Sequence, residues 1–228
     1  FAGRGFDAMW TDMAEIVRPT RDGIHGREYI NTCFELSRRV TQLEFNAAMS
    51  LASEVPPILE IPLPLLFRLS PELLINEHVL LPMARAARTL GTLMFVRPQD
   101  LTPLLAPYAA NLIPCLPHDK VEAYGEIIRN SRVVELADAP GIETVLAGVR
   151  AVHPDKILLV GMPLDRNAPA RSAELAQSGA DTLHFYADDH GNELNADPPR
   201  FLKEMIRLVH LDLVAHGVRQ KINLVFSG

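Results

Sequence analysis

One pattern recurs from about residue 58 to the end of the chain: a short apolar run, a polar loop, a helix-patterned segment, then Gly, Pro or Asn and another apolar run. Alternation of this kind predicts β/α units built on a parallel sheet, because each strand must be joined to its parallel neighbour by a crossover that buries one helix face. The clearest unit spans Lys156 to Ala187. KILLVGMP reads as a buried strand, Asn167 caps a helix over APARSAELAQS, Gly179 ends it in the C′ position, and DTLHFYA is the next strand.

Five further runs complete the pattern, LEIPLPLLF (59–67), TLMFV (92–96), NLIPCL (111–116), RVVEL (132–136) and INLVF (222–226) joining the two just named to give seven strands in all. Helical segments are expected near 76–90, 118–129, 141–152, 168–178 and 199–216. In the last of these Asp197 serves as N-cap, Pro198 stands at N1, Gly217 follows the end, and Phe201, Leu202, Met205, Ile206, Val209 and Leu213 form one apolar face. Near-continuous apolar strands fit an open doubly wound sheet or a (β/α)8 TIM barrel lacking its last unit. No G-x-G-x-x-G turn occurs, which favours the barrel. Residues 58–228 are therefore expected to form an incomplete β/α barrel of about seven strands, and residues 1–57 an irregular N-terminal segment packing on it.

Composition narrows the function classes. With 48% hydrophobic and 22% charged residues, the chain has the balance of a soluble globular protein. A net charge of −6 argues against a nucleic-acid partner. No apolar run reaches membrane-span length, and Pro56, Pro57, Pro62 and Pro64 interrupt the most apolar stretch, so no membrane partner is expected. Cys33 and Cys115 are far apart and lack metal or disulfide spacing; a cytoplasmic setting and no metal site are the expectation. Beginning at Phe1 and stopping at Ser227-Gly228 just after an apolar run, the ends read as cuts through a longer protein.

Ligands of parallel β/α folds bind beyond the carboxyl ends of the strands. After DTLHFYA come Asp188, Asp189 and His190, able to hydrogen-bond a polar substrate or move a proton, and Gly191, which lets the backbone approach a ligand closely. An ordinary polar turn explains the same residues equally well. His184 lies inside the strand and reads as a satisfied core residue. Ser227 and Gly228 could open a phosphate cradle of backbone N–H groups. Arg97, Asp138, Met162 and Asp165 also stand at strand ends, and Arg18, Arg21 and Arg27 in the N-terminal segment could attract an anion or form salt bridges.

The order of IVRPTRDGIHGREYI, EIPLPLLF, ARTLGTLMFV, GADTLHFYADDHGNE and VHLDLVAHGVRQKINLVFSG resembles the FMN-binding domain of the glutamate synthase family, truncated after its seventh strand. The resemblance implies a (β/α)8 barrel of FMN-oxidoreductase type, with FMN at the carboxyl ends of the strands. It implies glutamate formation from a 2-oxoglutarate-like substrate and an ammonia or amine donor, by hydride transfer from the reduced flavin. On this reading Asp188, Asp189 and His190 contact substrate or the flavin edge, with His190 the proton donor, and Gly191 lies at the flavin. Ser227 and Gly228 begin the phosphate loop. Met162, beside Gly161, stands where the family typically offers a lysine to the flavin. An ammonia- or electron-donating partner subunit and an iron–sulfur cluster carried beyond residue 228 are further implications. The alternative is a non-catalytic, degenerate barrel fragment acting as a binding or structural module, which the missing lysine favours.

Overall fold

The computed structural model describes residues 33–38, 45–51, 55–69 and 76–228. Most of the expected irregular segment over 1–57, with Arg18, Arg21 and Arg27, lies outside the described residues. Residues Phe34–Gly228 form one compact unit; of the other, Phe1–Cys33, only the exposed Cys33 is described.

Two short strands, β1 (Phe34–Glu35) and β2 (Glu60–Ile61), pair antiparallel. The main sheet follows: β3 (Met94–Val96), β4 (Leu112–Leu116), β5 (Val133–Ala137), β6 (Ile157–Pro163), β7 (Thr182–Tyr186) and β8 (Asn223–Ser227). All six are parallel and stand in sequence order, which is the arrangement that repeated β/α crossovers generate. Helix α1 (Glu77–Leu90) precedes β3, 3-10 turns over Pro98–Asp100 and Pro103–Asn111 link β3 to β4, and α2 (Gly125–Asn130), α3 (Ile142–Val152), α4 (Ala168–Gln177) and α5 (Leu202–Ala215) alternate with the strands that follow. None of the described helices is long and apolar enough to cross a membrane.

Strand periodicity sorts the side chains into two layers. One face of the sheet, through Leu116, Leu136, Val160, Leu183 and their neighbours, packs against α2–α5 in the largest apolar cluster. The opposite face gathers Phe95, Ile113, Val133, Leu159 and Val225 from five different strands around Leu36, Leu59 and Ile61. The sheet curls about this second face into a half-barrel. Phe67 bridges in parallel to Met94 on the β3 side, yet the next residue, Arg68, reaches Ser227 on β8 at the other edge, with Nη1 2.5 Å from Oγ.

The amino ends of the strands are tied by Asp181, a fully buried carboxylate. It accepts from Arg38 Nε at 2.8 Å, Arg150 Nη2 at 2.7 Å and the backbone N–H of Leu158 at 2.8 Å. Three charge-assisted donors replace the water that burial removes.

Three expected elements are changed in extent. Prolines 62 and 64 deny LEIPLPLLF a continuous ladder, leaving β2 and the single bridge at Phe67. Residues His118–Tyr124 form a 3-10 segment, with Lys120 outside helical geometry, before the one-turn α2. The last helix starts at Leu202 and not near Pro198, because Pro199 disfavours helical geometry in the residue before it.

Candidate functional site

A polar cluster occupies the concave face at the carboxyl ends of the strands, and β7 supplies its centre. His184 is fully buried there. Its Nδ1 lies 2.5 Å from Glu135 Oε2 on β5, and its Nε2 lies 3.0 Å from Ser227 Oγ on β8. An ionised carboxylate only accepts, so Nδ1 carries the proton, and in the neutral ring Nε2 is an acceptor for the Ser227 hydroxyl, which also lies 3.4 Å from Phe185 O. Tyr186 donates its hydroxyl to the other oxygen of Glu135. Phe95 stacks on the imidazole with ring centroids 4.3 Å apart, and Tyr186 meets it edge-on at 4.6 Å. Both hold the ring in one plane.

Glycine at position 161 makes this cluster geometrically feasible. Gly161 pairs with His184 in the sheet and separates β5 from β7. A Cβ there would collide with the Tyr186 hydroxyl and come within 2.9 Å of the Glu135 carboxyl carbon. With only hydrogen at that position, the β7 side chains reach across β6 to Glu135.

Burial and the adjacent Glu135 carboxylate push the Tyr186 phenol far above its ordinary value, so it remains a hydrogen-bond donor throughout the physiological range. The same two causes, in the same order, raise the Cys115 thiol well above its usual value. Cys115 is consequently held as a thiol, poorly suited to attack or metal binding. No group of three or more His, Cys, Asp or Glu residues able to hold a metal ion occurs among the described residues.

Arg68 closes the cluster. Its guanidinium lies 4.0 Å over the Tyr186 ring while Nη1 donates to Ser227. It forms no salt bridge among the described residues. The cation therefore rests on a π face and a hydroxyl, which leaves its charge available to an anion. Beside it opens a cleft of about 380 Å³ whose walls include Ile61, Leu66, Phe95, His184, Val225 and Ser227. That volume is within the usual range for small-molecule sites, and most of the wall is apolar with a few convergent polar groups.

The loop after β7 lies against the end of β8. Asp188 Oδ1 accepts from the backbone N–H of Asn192 at 2.7 Å and of His190 at 2.9 Å, an Asx turn that fixes the loop. Those amides, Asn192 foremost, hold the Asp188 carboxyl below its ordinary value. Gly191 takes φ +73°, and its N–H returns to Asp188 O at 2.9 Å. Asp189 and His190 are exposed at the tip. Strand-like pairing of Asn192 with Phe201, and the Leu202 N–H to Gly191 O bond of 2.7 Å, anchor the loop to the start of α5.

Of the residues expected at the site, the loop and the end of β8 do come together. Ala187 N–H donates to Ser227 O at 2.7 Å. A Cβ on Gly228 would lie 2.8 Å from Asp188 O and 3.3 Å from Gly191 Cα. Ser227, however, turns its hydroxyl inward to His184 and Arg68, while Gly228 packs against the loop. Met162 points the other way, into the apolar layer beneath the helices, so its side chain does not line the cleft. Asp138 is engaged with Arg171 at 2.8 Å and Arg97 with Asp100 at 2.5 Å, both beside helical segments.

Sequence reasoning passed over Glu135, Tyr186 and Arg68, and placed His184 in the core without a role. A signal was present: in the interior of RVVEL, KILLVGMP and DTLHFY stand Glu135, Gly161 and His184, residues foreign to the middle of a buried apolar strand. No protein-family model and no curated protein matches the chain.

Proposed function

We propose that this chain is part of an FMN-dependent oxidoreductase of glutamate synthase type, built on a (β/α)8 barrel of which the six parallel strands and the Phe67 register are the larger part. The observation that carries the reading is Gly228 packed against the Asp188–Gly191 loop, next to the Ser227 hydroxyl that accepts from the Arg68 guanidinium, at the carboxyl ends of a curled parallel sheet. The residues fit the phosphate end of FMN. Gly228 stands where any Cβ would fill the gap to the loop, and Arg68 brings a fixed positive charge to the same edge. When bound, the flavin would supply hydride transfer.

The chain's own residues would do the rest. Gly228 and Arg68 would bind the phosphate or a substrate carboxylate. Proton handling falls to His184 in place of His190, because Glu135 fixes its tautomer and Phe95 and Tyr186 fix its plane. Asp188, its Oδ1 already taken by two backbone amides, would shape the loop; Asp189 and His190 remain at the exposed tip for substrate contact.

A second reading, a barrel that binds without catalysis, draws on Gly161. The space a lysine at position 161 of β6 would need is taken by Tyr186 and Glu135, an acid in place of a base. Titration of the purified protein with FMN, followed by flavin fluorescence and visible absorbance, separates the two. Saturable quenching with a shifted flavin spectrum is expected. A folded protein that leaves both signals unchanged up to about 1 mM FMN, where binding would be worth only some 4 kcal/mol, favours the second reading.

A further inference from the structure

The three residues at the centre of the cluster have the geometry of a nucleophile, its base and an orienting acid. Ser227 Oγ is 3.0 Å from His184 Nε2, and His184 Nδ1 is 2.5 Å from Glu135. Activation of a serine requires those two contacts together: an acceptor nitrogen on the hydroxyl, and a carboxylate that keeps the proton on the other nitrogen and stabilises the imidazolium once formed. The three residues come from β8, β7 and β5, rigid strands of one sheet, so their alignment is set by the ladder and not by a loop. Arg68 adds a fourth part. Its Nη1 donates to the same Oγ at 2.5 Å, and its remaining N–H groups can face an oxyanion formed beside that atom. The cleft leading to Ser227 is walled mainly by Ile61, Leu66, Phe95 and Val225.

We propose that Ser227, His184 and Glu135 constitute an acyl-transfer site for esters of small apolar carboxylic acids, with Arg68 as the oxyanion partner. The acyl chain lies along the apolar wall. Ser227 Oγ bonds to the ester carbonyl carbon while its proton passes to His184 Nε2. The ester C–O bond then breaks, and the same proton leaves with the alcohol. Water next gives a proton to Nε2 and its oxygen to the acyl carbon; the carboxylic acid departs as the proton returns to Ser227. Ser227 and His184 are the catalytic residues, and Glu135 positions the imidazole. No flavin enters any step, so this activity is independent of the oxidoreductase reading.

The test uses the 228-residue chain without added FMN. An alkyl fluorophosphonate should label it at a single serine, mapped by mass spectrometry to Ser227, and p-nitrophenyl butyrate should be hydrolysed with a burst of acyl-enzyme. S227A should abolish both. H184N should slow labelling by about 100-fold or more, the usual worth of a general base. E135Q should shift the pH midpoint of labelling, which a purely structural carboxylate would not do. Circular dichroism of each variant confirms folding, and labelling of the unaltered protein needs no variant at all. Labelling no faster than that of the urea-unfolded chain, or unchanged in S227A, overturns the proposal. Failure of FMN binding with Ser227 labelled removes the flavin reading alone; FMN binding with Ser227 inert removes this one alone.

Discussion

At residue 161, the presence of a single methyl group decides whether three strands can share one polar cluster. G161A would drive a Cβ against the Tyr186 hydroxyl and the Glu135 carboxyl, and both must retreat. Overpacking of this kind costs about 1–3 kcal/mol, so the thermal midpoint should fall and the His184 ring resonances should move, although no member of the cluster is changed. Asp188 offers a test by pH. Because its folded-state value is depressed by the Asn192 and His190 amides, its contribution to the loop is present above the unfolded value and is lost as pH falls through the folded one. A carboxyl NMR titration should place its midpoint below about 3.9, the value of a free aspartate. A midpoint at or above that value would show that the Asx turn is not formed in solution.

Elements were legible where local chemistry agreed with the fold. Helix α1 runs from an asparagine cap to a glycine at φ +68°, with Asn76 Oδ1 accepting from His78 N–H at 3.0 Å. N76A should cost about 1 kcal/mol, read as a lower urea midpoint with an unchanged m-value. Strands β3–β8 were equally plain as apolar runs between Gly, Pro and Asn. The stretch over 59–67 was not, since apolar composition promised a strand that its prolines withhold. The site was less legible than its scaffold for a related reason. Attention to the polar loop after β7 brought Asp188, Gly191 and Gly228 together, and these do lie side by side, but none of them lines the cleft. The inner cluster joins residues 49 and 43 positions apart in sequence, Glu135 to His184 and His184 to Ser227, and no local window contains them. Only strand parity compared across β5, β6 and β7 puts Glu135, Gly161 and His184 on one face.

For the molecule as a whole, the two ends of the strands divide their tasks. The amino ends carry the Asp181 knot, which joins β6 and β7 to α3 and to Arg38; the carboxyl ends carry the His184–Ser227 cluster, from which the cleft runs along β8. D181A would leave the buried Leu158 N–H without its acceptor and take the carboxylate from part-exposed Arg38 and from Arg150, which keeps the Lys156 and Gly179 carbonyls. A loss of about 1–3 kcal/mol is expected, measured by urea unfolding, while Ser227 labelling at temperatures below the transition persists. A change of labelling with no change of stability would contradict this division.

The contact between Arg68 and Ser227 has a mechanical side. It is a seam, since Arg68 follows the chain segment paired to β3 and Ser227 ends β8, so this hydrogen bond stitches one border of the curled sheet to the other. An anion that draws the guanidinium away unpicks that stitch, and the borders gain freedom to breathe. Occupancy of the cleft should then be readable at a distance as faster amide exchange at Phe67 and Phe226, so that the curvature of the sheet itself reports the ligand.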